Sequence, residues 1–272
     1  MEKVRKLERI AAMIQILSQQ PNRLFPFGYF SELFDVAKST LSEDVLIARQ
    51  ILQKYGLGTL ETIAGASGGV RFLPSFTSGA VQKLLAELAV RLSAPERIIP
   101  GGFLYMSDIL YTAHWMEKVG ELFMAQFRHL APDYIMTIET KGIPLAFMTA
   151  RAFDLPLVTV RHGSRVTEGS AVSINYVSGS SRRIQTMSLP RRALPPGARI
   201  LIIDDFMKAG GTALGMVELA HEFGAEVVGT GVLVATAEPE KKLVAGYRPL
   251  LVLHTVDEEK KTVDIRPASL NF

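Results

Sequence analysis

The sequence of 272 residues contains no cysteine. This absence excludes disulfide frameworks, thiol catalysis and thiolate metal sites, and it fits a reducing cytoplasm. A run of eighteen apolar residues, the length of a membrane-spanning helix, is also missing, and the charged start Met1–Lys6 differs from a secretory signal. The five histidines are not spaced to share a helical turn, so no metal site is predicted. We expect a cytoplasmic protein with no membrane partner.

Neither sign of charge dominates, since 30 Lys and Arg against 27 Asp and Glu give a net charge of +3. This balance permits phosphate-bearing partners but does not establish nucleic-acid binding by itself. The charge is uneven, however, because seven arginines and a single acid, Glu168, lie between Arg161 and Arg199. The serine-rich centre of that stretch, residues 178–183, is interpreted either as a solvated loop or as a phosphate or nucleic-acid contact.

Residues 1–73 predict an N-terminal winged-helix domain. Apolar residues recur at helical spacing over residues 3–20, around residues 29–34, and from Thr40 onward, where Thr40 and Glu43 match a capping box. Two strand-like segments, residues 59–63 and 70–73, then flank a glycine-rich tip, as in a hairpin. Three helices followed by a hairpin are typical of a winged helix.

A winged helix places the N-terminal end of its third helix in the DNA major groove, while its hairpin reaches phosphates or the minor groove. The candidate DNA-contacting residues are Lys38, Ser39, Thr40 and Ser42 of the third helix, Arg71 of the hairpin, and Arg5, Lys6 and Arg9 of the first helix. The alternative is a unit that only dimerises, because residues 1–71 carry seven acids against nine bases.

Residues 74–272 predict an α/β domain. Apolar strand segments at residues 134–138, 157–160, 200–203 and 227–234 alternate with helical patterns. This alternation predicts a parallel sheet covered by helices.

The run Leu201–Thr212 is the most informative in the chain. Its apolar start predicts a buried strand, and Asp204 and Asp205 follow where open α/β sheets place their ligands. Gly210 and Gly211 let the backbone approach an anion, towards which the next helix would point its first amides. Neighbouring carboxylates accept hydrogen bonds from the vicinal diol of a ribose. The alternative is a carboxylate pair that ends a core strand in another kind of α/β protein.

A second anion-binding turn, Thr140–Gly142, follows the strand at residues 134–138. Gly142 can adopt a positive φ, Lys141 brings a positive charge, and the following helix contributes its amides, so this loop and the one at Gly210 could share a pyrophosphate. A plain connection is the alternative, because lysine–glycine turns before helices are common.

These segments resemble two loops of the type I phosphoribosyltransferases. Residues 201–212 resemble the motif for phosphoribosyl pyrophosphate (PRPP), in which the acids hold the ribose and the glycine-rich turn holds the 5′-phosphate. Residues 140–142 resemble the pyrophosphate loop, Arg161 would face the pyrophosphate, and Phe103 or Tyr105 would stack on a purine unless these rings are simply buried. The implied PRPP site comprises Asp204, Asp205, Phe206, Lys208, Ala209, Gly210, Gly211, Thr212, Thr140, Lys141, Gly142, Arg161, Phe103 and Tyr105.

Lys208 departs from the pattern of the enzymes. Hypoxanthine-guanine enzymes carry an aspartate at this position that accepts a proton from the purine, and adenine enzymes carry a small residue. An ammonium group cannot act as a general base, so the substitution indicates binding without turnover. Alternatively, the lysine strengthens the hold on phosphate.

The chain as a whole resembles the purine operon repressor family of Gram-positive bacteria. The supporting segments besides the PRPP motif are residues 38–44, 95–102, 140–146 and 173–181. The resemblance implies a non-catalytic, homodimeric repressor of purine biosynthesis genes that PRPP releases from double-stranded operator DNA, with guanine nucleotide alarmones such as guanosine tetraphosphate competing for the pocket. It implies no required cofactor and leaves open whether Mg²⁺ accompanies PRPP. An active purine phosphoribosyltransferase and a PRPP-binding subunit of an enzyme are the alternatives.

Overall fold

The computed structural model describes residues 4–163, 169–177 and 183–270. The chain divides into two compact units, Met1–Ala80 with Arg151–Asp154 and Val81–Ala150 with Leu155–Phe272. None of the described helices is both long and apolar enough to cross a membrane. Most of the serine-rich centre of the arginine-rich stretch lies outside the described residues.

The N-terminal unit contains the predicted three helices and hairpin. Its elements are α1 (Lys6–Gln19), α2 (Phe27–Phe34), α3 (Lys38–Lys54), β1 (Thr59–Ile63) and β2 (Gly69–Leu73). The two strands pair antiparallel. The apolar stripes of the helices form the core, in which the fully buried side chains include Met13, Leu17, Phe30, Leu41 and Ala48. Burial of each large apolar side chain contributes about 1.5–3 kcal/mol to folding.

Helix α3 begins at Lys38, two residues before the predicted start. Asp35 ends α2 in the left-handed region at φ 51°, and Ala37, with an extended backbone, is the N-cap residue of α3. The predicted capping box of Thr40 and Glu43 is therefore wrong, because both residues lie inside the helix. The turn is shorter than expected because the short polar side chain of Asp35 tolerates the left-handed conformation.

The remaining elements form an α/β unit. The helices are α4 (Ser78–Leu92), α5 (Ser107–Leu110), α6 (Ala113–Phe127), α7 (Ile143–Phe153) and α8 (Gly211–Glu222). The strands of the main sheet are β5 (Tyr134–Ile138), β6 (Leu157–Val160), β9 (Arg199–Met207), β10 (Glu226–Thr236), β11 (Tyr247–Asp257) and β12 (Thr262–Pro267). Two small hairpins are added by β3 (Ile98–Ile99) with β4 (Phe103–Leu104), and by β7 (Ala171–Val177) with β8 (Ile184–Pro190).

The main sheet has the order β12-β11-β10-β9-β5-β6. All neighbours are parallel except β12, which runs antiparallel to β11. The parallel α/β prediction is therefore confirmed, with one antiparallel edge strand added. Because β5, β6 and β9 run parallel, the loops after them lie at one edge of the sheet, where α/β proteins bind ligands.

The central strand β9 is longer than predicted. Residues 200–203 are fully buried, as expected for a strand covered on both faces. The strand then continues to Met207, and Asp204 pairs with Val232 of β10. The two acids therefore lie inside the strand and not beyond its end, because the long neighbouring strand β10 extends the ladder of backbone hydrogen bonds.

Candidate functional site

One cleft at the carboxyl edge of the sheet is lined by residues from both predicted anion-binding segments. The residues that line it are Ile138, Glu139, Thr140, Lys141, His162, Tyr176, Gln185, Asp204, Asp205, Phe206 and Thr212. A smaller pocket beside it is lined by Asp204, Phe206, Met207, Lys208, Ala209, Gly210, Gly211, Thr212 and Ala213. The predicted strand, turn and second loop are thus brought together around one pair of carboxylates.

The turn after β9 has the geometry of an anion cradle. Gly210 is the N-cap residue of α8 and adopts the left-handed conformation at φ 84°, which glycine adopts without strain. Its carbonyl accepts the first bond of the helix, from Leu214 N at 2.9 Å. The first amides of a helix have no partner within it and carry the positive end of its dipole, so this turn is suited to a phosphate group.

Burial and mutual repulsion disfavour the ionised forms of the two acids of β9. Asp204 is only 5% exposed, and its Oδ1 accepts a hydrogen bond from the backbone N–H of Asp205 at 3.0 Å. Burial, and then the neighbouring Asp205, raise the pKa of Asp204 well above its ordinary value. Burial also raises the pKa of Asp205, whereas the positive charge of Lys141 lowers it. Diol hydroxyls, which donate hydrogen bonds, would stabilise the ionised pair.

Replacing Asp205 by asparagine is expected to stabilise the ligand-free protein, because it removes one of two crowded like charges. An acid with a raised pKa keeps a proton in the folded state that the unfolded chain has released, so the wild type should lose stability as the pH rises from about 4 through the raised pKa values. The Asp205→Asn variant should lose less stability over the same rise in pH. Urea midpoints at about pH 5 and about pH 8 measure the difference.

Glu226→Gln is the matched control for this prediction, because it removes a carboxylate from an exposed pair with Arg199. Such pairs contribute at most about 1 kcal/mol. A wild-type pH dependence in Asp205→Asn would contradict the electrostatic interpretation of the pair.

Gly142 is required for a reason other than the one predicted. Its φ is not positive, which corrects the expectation from sequence. A Cβ atom at this position would lie 2.5 Å from Thr137 Oγ1 and 3.3 Å from Asp204 Oδ1. The glycine therefore allows the second loop to pack against β5 and β9, while Thr140 and Lys141 beside it remain exposed.

Arg161 follows β6 and is paired with an acid of the second loop. Its Nη1 lies 3.2 Å from Glu139 Oε2, and the other carboxylate oxygen of Glu139 accepts a hydrogen bond from the backbone N–H of His162 at 2.8 Å. Glu139 and His162 both line the cleft, although neither was predicted to. Their positions directly after strands β5 and β6 are the signal that could have identified them.

The hairpin β7–β8 contributes two further lining residues that the sequence did not reveal. The hydroxyl of Tyr176 donates a hydrogen bond to Gln185 Oε1 at 2.7 Å, and burial raises the pKa of Tyr176. This hairpin lies within the arginine-rich stretch, so the part of that stretch flanking residues 178–182 is regular structure. Arg165 and Arg182 lie outside the described residues, and Arg183 is exposed.

Phe103 and Tyr105, the candidate stacking residues, are 59% and 44% exposed, so burial does not explain them. Neither lines the cleft formed by the described residues. The β3–β4 hairpin is held by Arg97, which donates to Tyr105 O at 3.0 Å and forms a two-pronged pair with Asp108 at 2.7 and 2.8 Å. That pair lowers the pKa of Asp108.

The predicted DNA-contacting residues of α3 lie in its first turns. Lys38, Ser39 and Ser42 are exposed and Thr40 is half-buried. Ser42 Oγ donates back to Lys38 O at 3.0 Å, as serine does inside helices. The start of α3 therefore presents a lysine and hydroxyl groups to solvent, as the winged-helix interpretation requires.

The arginines predicted to contact DNA differ in their surroundings. Arg71 is paired with Glu61 directly across the β1–β2 hairpin at 2.6 Å, so its charge is offset. Arg9 is 6% exposed and bonded to the fully buried Asp44, which contradicts its predicted contact with DNA. The positive charge of Arg9 compensates the buried carboxylate of Asp44, which would otherwise be unpaired. Arg5 and Lys6 are exposed, and their contact with DNA stays a prediction.

Each of the two units is matched by a known protein family. Residues 5–74 match the family model described as the N-terminal domain of the bacterial purine repressor, and residues 107–262 match the phosphoribosyl transferase domain. The fold of the second unit is similar to that of adenine phosphoribosyltransferase from Thermoanaerobacter pseudethanolicus, with a TM-score of 0.53 and 19% identity over 61% of this chain and 98% of that one.

Two curated relatives match almost the whole chain. The purine biosynthesis transcriptional repressor PurR of Bacillus subtilis is 46% identical over 97% of this chain and 93% of its own length. The purine biosynthesis transcriptional activator PurR of Lactococcus lactis subsp. lactis is 36% identical over 97% of both chains. With its N-terminal unit, its phosphoribosyltransferase-like unit and this degree of identity, the chain belongs to the bacterial purine repressor family of transcriptional regulators.

Proposed function

We propose that this protein represses purine biosynthesis genes by binding their operator DNA, and that PRPP bound in the cleft releases it. The repressor assignment follows the B. subtilis relative, whereas the L. lactis relative carries the name of an activator. The observation that carries the proposal is the presence, in one chain, of a winged helix and of a cleft in which the two predicted anion-binding loops flank the buried Asp204 and the half-buried Asp205.

Each polar group of PRPP would have a partner in the cleft. Its 5′-phosphate would accept hydrogen bonds from the turn at Gly210 and the start of α8, where the helix dipole favours an anion. Its ribose hydroxyls would donate to Asp204 and Asp205. Its pyrophosphate would lie by Lys141, which supplies a positive charge. Guanosine tetraphosphate, which also carries separated phosphate groups, would compete for the same cradles.

We propose that the cleft binds PRPP without converting it. Lys208 is exposed and lines the smaller pocket, and an ammonium group cannot act as the general base that takes a proton from a purine. The second candidate, an active purine phosphoribosyltransferase, is favoured by the complete phosphate turn. Release of pyrophosphate from PRPP in the presence of adenine, guanine, hypoxanthine or xanthine would establish that activity instead.

A divalent cation is expected to enter only together with PRPP. No group of three or more acidic or histidine side chains in the described parts of the chain is placed to hold a metal. Asp204 and Asp205 supply the oxygen donors that Mg²⁺ prefers, and phosphate oxygens of the ligand would complete its coordination. The cation would offset the repulsion between the two carboxylates.

Binding of labelled operator DNA by the full chain, with and without PRPP, tests the proposal. DNA and PRPP are expected to favour different arrangements of a homodimer, so each should lower the affinity for the other by the same factor, about tenfold to a hundredfold. Asp204→Ala should retain DNA affinity and need about thirtyfold more PRPP, because charge-assisted hydrogen bonds to the ribose are lost. DNA affinity unchanged at saturating PRPP would refute the effector role.

A further inference from the structure

A segment that lies outside the sequence motifs supports the phosphate turn from behind. Residues 236–244, here called the buttress segment, begin with the last residue of β10. Leu243 N donates to Ala209 O at 2.9 Å, and Val244 packs in a buried cluster with Met207 and Ala213. The ideal Cβ position of Gly210 lies 3.4 Å from both Leu243 N and Val244 Cγ2. The turn therefore contacts this segment through the Leu243–Ala209 hydrogen bond, and a side chain at Gly210 would meet the segment.

Thr236, the first residue of the buttress segment, lies close to Lys208, the residue before Ala209 in the turn. Its hydroxyl lies 3.2 Å from Lys208 O and 2.5 Å from Glu238 O, and it can donate its single hydrogen to either carbonyl. The Ala209 carbonyl thus accepts a hydrogen bond from the buttress side, and the Lys208 carbonyl faces the Thr236 hydroxyl, whose hydrogen it shares with Glu238 O. Because N–H and C=O point in opposite directions in a trans peptide, the amides of Ala209 and Gly210 are directed away from the buttress.

Lys242 lies at the centre of this arrangement and is 8% exposed. Its Nζ donates to Thr236 O at 2.7 Å and to Thr236 Oγ1 at 3.1 Å. Because the hydroxyl accepts a bond from the lysine, its own hydrogen remains for a carbonyl. Burial lowers the pKa of Lys242, while the carboxylate of Glu238 acts in the opposite direction. A buried lysine is costly unless its donors are used, which indicates a specific role.

We propose that Lys242 is a positioning residue of the phosphate turn, acting through Thr236 to hold the amides of residues 209–210 towards the 5′-phosphate of the ligand. The inference rests on the proposed function, since it assigns a support to the same effector site. Lys242 is not among the described residues that line either pocket of that site, so it would act on a ligand only through the turn. Its removal should weaken binding of the 5′-phosphate selectively, because the pyrophosphate loop at Thr140–Gly142 is on another strand.

The test compares three ligands, PRPP, ribose 5-phosphate and pyrophosphate, by calorimetric titration of the full chain. Lys242→Met is expected to weaken PRPP and ribose 5-phosphate about tenfold and to leave pyrophosphate within about twofold of the wild type. Thr236→Val removes the hydroxyl with little change in shape and should give the same selective loss. Lys241→Met, which changes the exposed neighbouring lysine, should leave all three affinities unchanged.

The inference is overturned if Lys242→Met and Thr236→Val both bind ribose 5-phosphate as tightly as the wild type does. The proposed function would still stand in that case. A matching loss of all three ligands would also overturn it, because that pattern indicates general destabilisation. If Lys242→Met does not fold, Thr236→Val decides the question alone. If the wild type binds none of the ligands, both the proposed function and this inference are refuted.

Discussion

Replacing Asp44 by alanine is expected to lower the free energy of unfolding of the N-terminal unit by about 3–5 kcal/mol. Asp44 of α3 is fully buried, and its Oδ2 accepts a hydrogen bond from Arg9 Nε of α1 at 2.8 Å. The variant leaves the guanidinium of Arg9 buried without its counter-ion. Such a loss is a large part of the roughly 5–15 kcal/mol that stabilises a typical domain.

The functional consequence should be selective. Arg9 also donates to Val4 O, so the pair fixes both the start of α1 and the first turns of α3 that present Lys38 and Ser39. Asp44→Ala should therefore lose affinity for operator DNA, whereas PRPP binding by the second unit is expected to persist. Hydrogen exchange of the α1 and α3 amides, followed by mass spectrometry, measures the local loss of stability directly.

Two controls make this prediction specific. Glu61→Ala breaks the more exposed pair with Arg71 and should cost no more than about 1 kcal/mol. The double variant Arg9→Met with Asp44→Leu replaces both charges by apolar groups and should regain most of the lost stability, because neither partner is left unpaired. If Asp44→Ala exchanges no faster than Glu61→Ala, the buried pair does not stabilise the unit.

Gly142→Ala is expected to weaken PRPP binding more than about a hundredfold, which corresponds to about 2.7 kcal/mol. The added methyl group would overlap Thr137 Oγ1 at 2.5 Å and crowd Asp204 Oδ1 at 3.3 Å. Both neighbours are at least 95% buried in the central strands and have little room to move. The loop at Thr140–Gly142 must shift instead, which displaces Lys141 and the amides at the start of α7.

A second substitution can separate the steric effect from other causes. Thr137→Ala removes the nearer obstacle, and Thr137 Oγ1 has no hydrogen-bond partner among the described residues that would be lost. The double variant Gly142→Ala with Thr137→Ala should therefore recover part of the affinity, a coupling that a double-mutant cycle measures. Gly79→Ala, where a methyl group meets no atom within 4 Å, is the control. Undiminished PRPP affinity in Gly142→Ala would refute the close-packing explanation.

The elements predicted well from sequence are those that local chemistry determines. Helices α1 and α2 follow from apolar spacing, and the β1–β2 hairpin follows from strand segments around a glycine-rich tip. The cleft was predicted because Asp204, Asp205 and the glycines of the turn are contiguous in the chain. Parallel strand ends then bring the second loop to the same edge of the sheet.

The errors arose where contacts between distant residues decide the outcome. Arg9 looks like a surface cation in sequence, and only the burial of Asp44, 35 residues away, shows otherwise. Gly142 serves close packing against Thr137, which no local pattern shows. The support that Lys242 gives to the turn depends on a hydroxyl at the end of another strand. Sequence periodicity contains none of these relationships, because each is created by the fold.

The antiparallel strand β12 also affects how the folded chains behave together. It occupies the outer border of the sheet, where unpaired backbone groups would otherwise invite another chain to add a strand. This border carries the exposed ion pair of Asp264 and Arg266 and ends at Pro267, which has no N–H to donate. Charge and proline at such a border oppose strand-to-strand aggregation, so β12 helps to keep the protein dispersed at high concentration.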